Sequence, residues 1–199
     1  MQMISVKNSF LMIFVILLVG ACAEDLAQTP RPKGFMRIDF PEKAYLKHES
    51  SCPYSFEFPL RSLIDTNLNR LQNPCWLNIY YPQYGATMHF TYTSIKRDSL
   101  FQYIEDARNL AMKHTVRADN INERYYENIE HSVYGIAYEF EGNVASNFQF
   151  FMTDSNQHFV RGSLYFNMRP NPDSLSPVID YISKDMYRLI ETLEWQGKS

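Results

Sequence analysis

The chain has 199 residues, with 19 Lys+Arg against 22 Asp+Glu and a formal charge of −3 at pH 7. That length is one domain's worth of core. The mildly acidic balance excludes a nucleic-acid-binding surface and a basic face for anionic lipid headgroups.

The first residues read as a secretory signal. Lys7 is the only charge before an apolar run from Phe10 to Val19. That run is too short to span a bilayer, which needs about 20 residues, but it matches the apolar region of a cleavable signal. Small residues Gly20 and Ala21 precede Cys22, so the stretch Leu18-Val19-Gly20-Ala21-Cys22 has the form of a bacterial lipobox. Small side chains let the peptidase reach the cut, and the freed cysteine offers a thiol for a diacylglycerol thioether. The pattern predicts a signal peptide over 1–21 and lipidation of Cys22. The plainer alternative is an ordinary signal with an incidental cysteine. Two or more acyl chains would anchor stably, since each buried CH₂ contributes about 0.8 kcal/mol.

Residues 22–33 are polar and carry Pro30 and Pro32, the composition of a tether. Residues 34–199 then form the expected single α+β domain. Its two cysteines, Cys52 and Cys75, are an even pair in an exported body, which points to a disulfide. Two buried free thiols are the alternative. A bond would close a loop of about 22 residues, worth roughly 3 kcal/mol in the loop-entropy account.

In chain order, Phe35 to Phe40 alternates weakly and stops at Pro41, as an edge strand or an extended arm would. Tyr54, Phe56 and Phe58 alternate with polar residues, a strand that Pro59 ends. Residues 60–74 read as a loop with at most one helical turn. Trp76–Tyr81 and Thr87–Thr93 are strands joined by the turn Pro82-Gln83-Tyr84-Gly85, hence a hairpin. The first places Leu77, Ile79 and Tyr81 on one face, the second Met88, Phe90 and Tyr92.

The period then changes to 3.6. Leu100, Tyr103, Ile104, Ala107, Leu110, Ala111 and His114 make one helical stripe, with Asp98 or Ser99 as its cap. Residues 117–131 give no clear pattern. Next, Tyr134, Ile136, Tyr138 and Phe140 share a strand face, Gly142-Asn143 signals a two-residue hairpin turn, and Phe148, Phe150 and Met152 alternate. Asp154–Gln157 is a turn, and Phe159–Phe166 completes a three-stranded meander. A loop over 167–173 leads to a helix over about 174–195, capped by Asp173 or Ser174, with Pro177 in its first turn. Its stripe is Leu175, Val178, Ile179, Ile182, Met186, Leu189, Ile190 and Leu193. The order strands, helix, three strands, helix predicts an antiparallel sheet of about five to six strands covered by two main helices. It looks like a Mog1/PsbP-type sandwich.

Candidate chemistry is sparse. Asp154, Ser155 and His158 are hydrolase residue types, but all fall in one turn, where Asp and Ser are simply turn formers. The histidines at 48, 89, 114, 131 and 158 include no HxH or HxxxH pair, so no metal site is expected. Glu105 and Asp106 are adjacent on a helix and diverge. No phosphate-cradling loop is present. No catalytic residue, cofactor or metal is assigned, and the reading is of a non-enzyme. The 14 Phe and 14 Tyr serve either as core filler or as an aromatic partner surface. Tyr80, Tyr81, Tyr84, Tyr125, Tyr126 and Tyr165 are too many for all to be buried.

Several stretches together resemble the GldD gliding-motility lipoprotein family of the Bacteroidota. They are PKGFMRIDFPEKAY (32–45), CPYSFEFP (52–59), CWLNIYYPQYGATMHFTY (75–92), FQFFMTDSNQHFVRGSLYF (148–166) and PNPDSLSPVIDYISKDMYRLIETLEW (170–195). The resemblance implies a non-enzymatic accessory lipoprotein of the gliding apparatus and its associated type IX secretion system, anchored to a membrane through Cys22. Its partners would be other machinery proteins, with no nucleic acid. Only Cys22 carries over as a site residue. The second expectation, from a different class, is a periplasmic binding module that holds a small apolar ligand in an aromatic cleft between sheet and helix.

Overall fold

A computed structural model describes residues 38–66, 73–167 and 172–196. Two antiparallel sheets and two helices build it. The strands are β1 (Tyr45–His48), β2 (Tyr54–Pro59), β3 (Leu63–Asp65), β4 (Leu77–Tyr81), β5 (Ala86–Ser94), β6 (Ala118–Asn128), β7 (Val133–Gly142), β8 (Ser146–Thr153), β9 (His158–Phe166) and β10 (Glu194–Trp195). The helices are α1 (Leu100–Met112) and α2 (Pro172–Glu191).

The large sheet has seven strands in the order β3-β4-β5-β9-β8-β7-β6. Alternation in β4, β5, β8 and β9 gives it two distinct faces. On the inner face one cross-strand row runs Leu77, Phe90, Gly162, Phe150, Ala137. Helix α2 lays Val178, Ile182, Met186, Leu189 and Ile190 against this face. The small sheet, ordered β1-β2-β10, completes the layer. The Tyr54 and Phe56 rings of β2 meet Phe90 at 5.0 and 5.2 Å. All three are fully buried, and each such side chain contributes about 1.5–3 kcal/mol. These rings of the aromatic complement are core.

Gly162 explains how Phe150 fits. A Cβ there would lie 2.1 Å from the Phe150 ring, so only glycine lets that ring cross β9. Among the described residues, helix packing on the outer face is confined to one corner. There Ala107 and Ala111 of α1 pack on Tyr138, Phe140, Phe151 and Phe159. Small alanines let the helix approach closely.

The α+β architecture, the hairpin β4–β5, the meander β7–β8–β9 and both helices agree with expectation. The sheet is larger than expected because two edge strands give no alternation signal, one being only three residues long and the other mostly polar. One is β3, inside the expected loop. The other is the eleven-residue β6, whose residues are mostly exposed and mostly polar. The described part of the Phe35–Phe40 stretch, residues 38–40, is arm rather than strand, and β1 forms after Pro41 instead. The terminal helix stops at Glu191, and Glu194–Trp195 pairs with β2. That helix starts at Pro172, which puts Pro177 in its second turn rather than its first. In α1, Leu110 is exposed and Met112 packs inward instead. Ser99 stands at the N-cap position, but its hydroxyl donates to the Lys96 carbonyl at 2.8 Å and caps no helix N–H. Residues 143–145, not a two-residue turn, join β7 to β8. Gly142, at φ 107°, ends β7 where a Cβ would strike Asp119.

Candidate functional site

Beyond the corner under α1, the outer face of the large sheet is polar. A single cross-strand row carries Asp65, Asn78, His89, Ser163, Gln149 and Tyr138. The row beside it carries Thr91 and Arg161. Period-two alternation makes this inevitable: the residues between the inner-face aromatics of β5 and β9 must point the other way.

The groups on this face are organised. His89 Nδ1 lies 2.7 Å from Asn78 Oδ1, so that nitrogen carries the proton and Nε2 is left as an acceptor when the ring is neutral. Burial pushes the His89 pKa down. Arg161 donates from Nη2 to Gln149 Oε1 at 3.2 Å. Thr91 donates to the Arg161 carbonyl at 3.3 Å. Burial lowers the Arg161 pKa, and the Tyr165 phenol only partly opposes this. Among the described residues no carboxylate forms an ion pair with Arg161. Its charge instead falls on His114, whose pKa is lowered first by burial and then by Arg161. Gln149 is buried, and its Nε2 has no hydrogen-bond partner among the described residues. His89, Thr91, Arg161, Ser163 and Tyr165 line an open depression of about 230 Å³.

A second polar cluster lies where the arm preceding β1 meets α2. Lys43 Nζ reaches Asp185 Oδ1 at 2.5 Å and sits 3.5 Å over the Tyr181 ring. Tyr45 donates to the same oxygen at 2.9 Å. Phe40 stacks on Tyr181 at 4.6 Å, and the Tyr181 hydroxyl donates to the Pro41 carbonyl. Asp185 is only 2% exposed. Burial pushes its pKa up, and Lys43 and Tyr45 pull against that. The cavity beside it is about 20 Å³, lined by Arg61, Tyr81, Tyr84 and Tyr181 among others. That is room for about one water, not a ligand.

Two larger open depressions flank Cys52. One, of about 390 Å³, includes His48, Tyr54, Thr66 and Trp76. The other, of about 590 Å³, includes Tyr92, His158 and Gln196. Each borders a point where the described chain leaves off, at Thr66 and Gln196. In the second, Tyr92 OH and His158 Nδ1 are 2.9 Å apart and engage each other. Among the described residues, Phe90, Phe148, Phe150 and Met186 fill the interval between sheet and helix where an aromatic cleft is expected.

The residues singled out from sequence fall as follows. Cys22, with the signal and tether, lies outside the described residues. Cys52 and Cys75 are joined by a disulfide, with Cα atoms 5.6 Å apart. Asp154 accepts from the backbone N–H groups of Asn156, Gln157 and His158 through Oδ1 and so stabilises the turn. Ser155 holds the turn's positive φ of 64°. His158 stacks on Trp195 at 5.2 Å. His114 sits at the core edge, 5.6 Å from the Phe140 ring. Among the described residues no three His, Cys, Asp or Glu side chains cluster as metal ligands. Of the six tyrosines, Tyr81 is buried, Tyr125 is 77% exposed, and the others lie between. Neither Asp185 nor Arg161 is marked as a site residue by the sequence. Asp185 gives no sequence signal beyond a charge beside an apolar helix stripe. Arg161 was legible only as the polar face of its strand.

No helix among the described residues is long and apolar enough to cross a membrane. No curated protein matches the chain. Among solved structures, the solution structure of cyanobacterial PsbP (CyanoP) from Synechocystis sp. PCC 6803 is similar at TM-score 0.48 and 8% identity, covering 80% of this chain and 97% of that one. The family model described as gliding motility lipoprotein GldD matches residues 25–195. With most of its length matched, the chain belongs to the GldD family of gliding motility lipoproteins.

Proposed function

We propose that this chain is a non-enzymatic accessory component of the gliding machinery and of the associated type IX secretion system, tethered to a membrane by lipid on Cys22 and facing the periplasm. The family match over residues 25–195 carries the reading. The lipobox pattern ending at Cys22 supports the anchor, although Cys22 precedes the matched residues. The arm supports it mechanically. A chain hung from a lipid must transmit its attachment to the folded body, and residues 40–45 are fixed to α2 by the Lys43–Asp185 pair and the Phe40–Tyr181 stack. The body then acts through protein contacts. The hydrolase residue types at 154–158 are engaged in holding a turn, which favours a role without catalysis.

The test is a crosslinked pull-down of the tagged chain from gently solubilised membranes, with Cys22→Ser as control. Gliding or secretion-core proteins should be recovered with the parent chain and lost with the control. Recovery of none from the parent chain would sink the assembly role. Acyl labelling that persists in Cys22→Ser would sink the anchor separately.

A further inference from the structure

We propose that the polar outer face of β5 and β9 is a binding site for a small hydroxylated carboxylate, a sugar acid or hydroxy acid, seated on the Arg161 guanidinium. This does not rest on the assembly role.

A guanidinium presents a planar fork of donors that matches a carboxylate edge to edge. The Arg161 guanidinium is half-buried; among the described residues its side-chain hydrogen-bond partner is the neutral Gln149 oxygen, and no acid pairs with it. Half-buried arginines ordinarily find such a partner, because desolvating an unpaired charge is costly. The surrounding groups suit a ligand that brings one. Ser163, Thr91 and Tyr165 offer hydroxyls around the same depression. His89, its Nδ1 engaged with Asn78, offers Nε2 as an acceptor for a ligand hydroxyl. The Tyr165 ring, 5.6 Å from His89, gives a flat wall. The neighbouring Gln149 Nε2 is a buried donor without a partner among the described residues.

Charge and size narrow the class. Arg161 is the one fixed charge of the lining residues, and burial keeps His89 neutral near pH 7. One positive charge complements a carboxylate at −1 better than a phosphate monoester, which carries about −1.5 to −2. The depression, at about 230 Å³, lies below the roughly 300–1,000 Å³ of pockets for drug-sized ligands. A single ring or a short hydroxy acid fits that volume.

The test is titration calorimetry of the full chain with glucuronate, with glucose and inorganic phosphate as the comparison probes. Glucuronate should bind and glucose should not. Arg161→Gln should weaken glucuronate by about tenfold or more, as expected for one charge-assisted pairing. Arg161→Lys should restore only part of it, because the fork is lost. A readout on the unmutated chain guards against a variant that fails to fold: glucuronate, but not glucose, should slow phenylglyoxal modification of Arg161. Absence of glucuronate binding, unchanged binding in a folded Arg161→Gln chain, or no protection of Arg161 overturns the site. Phosphate binding as tightly as glucuronate overturns the assignment to carboxylates.

Discussion

The two faces of the seven-stranded sheet come from the same strands and behave as different materials. The inner face stacks Leu77, Phe90, Phe150 and Ala137 in one row and is sealed by α2 and β2. The outer face stacks Asn78, His89, Ser163 and Gln149 in the next, and α1 seals only one corner. The lesson is that stability and recognition are assigned to opposite sides of one set of residues. The dry side is close-packed and intolerant; the wet side holds the half-buried Arg161 guanidinium, which pairs with no acid among the described residues.

The comparison can be broken first on the dry side. Phe90→Ala should cost about 3–5 kcal/mol by urea unfolding, because the cavity lies where three elements meet. A loss below 1 kcal/mol would mean that the inner face is not the core. Reducing the Cys52–Cys75 bond should cost about 3 kcal/mol. That bond ties the approach to β2 to the approach to β4, holding the small sheet over the inner face. Unfolding with and without reductant measures it, and equal midpoints would contradict the tie.

Gly162→Ala sharpens the comparison, because it adds one methyl to the inner face alone. It should cost about 1–3 kcal/mol by overpacking against Phe150. A neutral outcome by thermal melting would mean that the ring has room to move.

The aromatic surround of β1 gives a pH signature. Burial lowers the pKa of His48, whose ring lies 5.1 Å from Phe56. Its folded value is thus below the unfolded value of about 6.5. The contribution is fully present above that unfolded value and is lost as pH falls through the folded one. Urea midpoints followed from about pH 8 to about pH 5 should decline, and the decline should be shallower in His48→Gln. An unchanged slope in that variant would assign the acid sensitivity elsewhere.

The smallest effect belongs to the wet side. Thr91→Val removes a half-exposed hydroxyl bonded to the Arg161 carbonyl and should cost less than about 1 kcal/mol. A loss comparable to that of Phe90→Ala would erase the distinction between the faces.

Alternation of apolar and polar residues, together with a helical stripe in each helix, determined the α+β class, the β4–β5 hairpin, the meander and both helices. Those signals are local, so one sequence suffices to read them. The family resemblance was legible in the same way, through stretches that survive in order. Edge strands were not legible. β6 pairs through its backbone with β7 across ten registers, and its side chains face water on most positions, so nothing in their polarity marks a strand. The burial of Asp185 was not legible either, since it depends on Lys43 and Tyr45 arriving from about 140 residues away in the chain. Nor could spacing reveal that Arg161 would stand beside Gln149 and His89 with no acid among the described residues to meet it. Alternation says which way a side chain points. Only the strand order and the reach of α1 decide what it meets there.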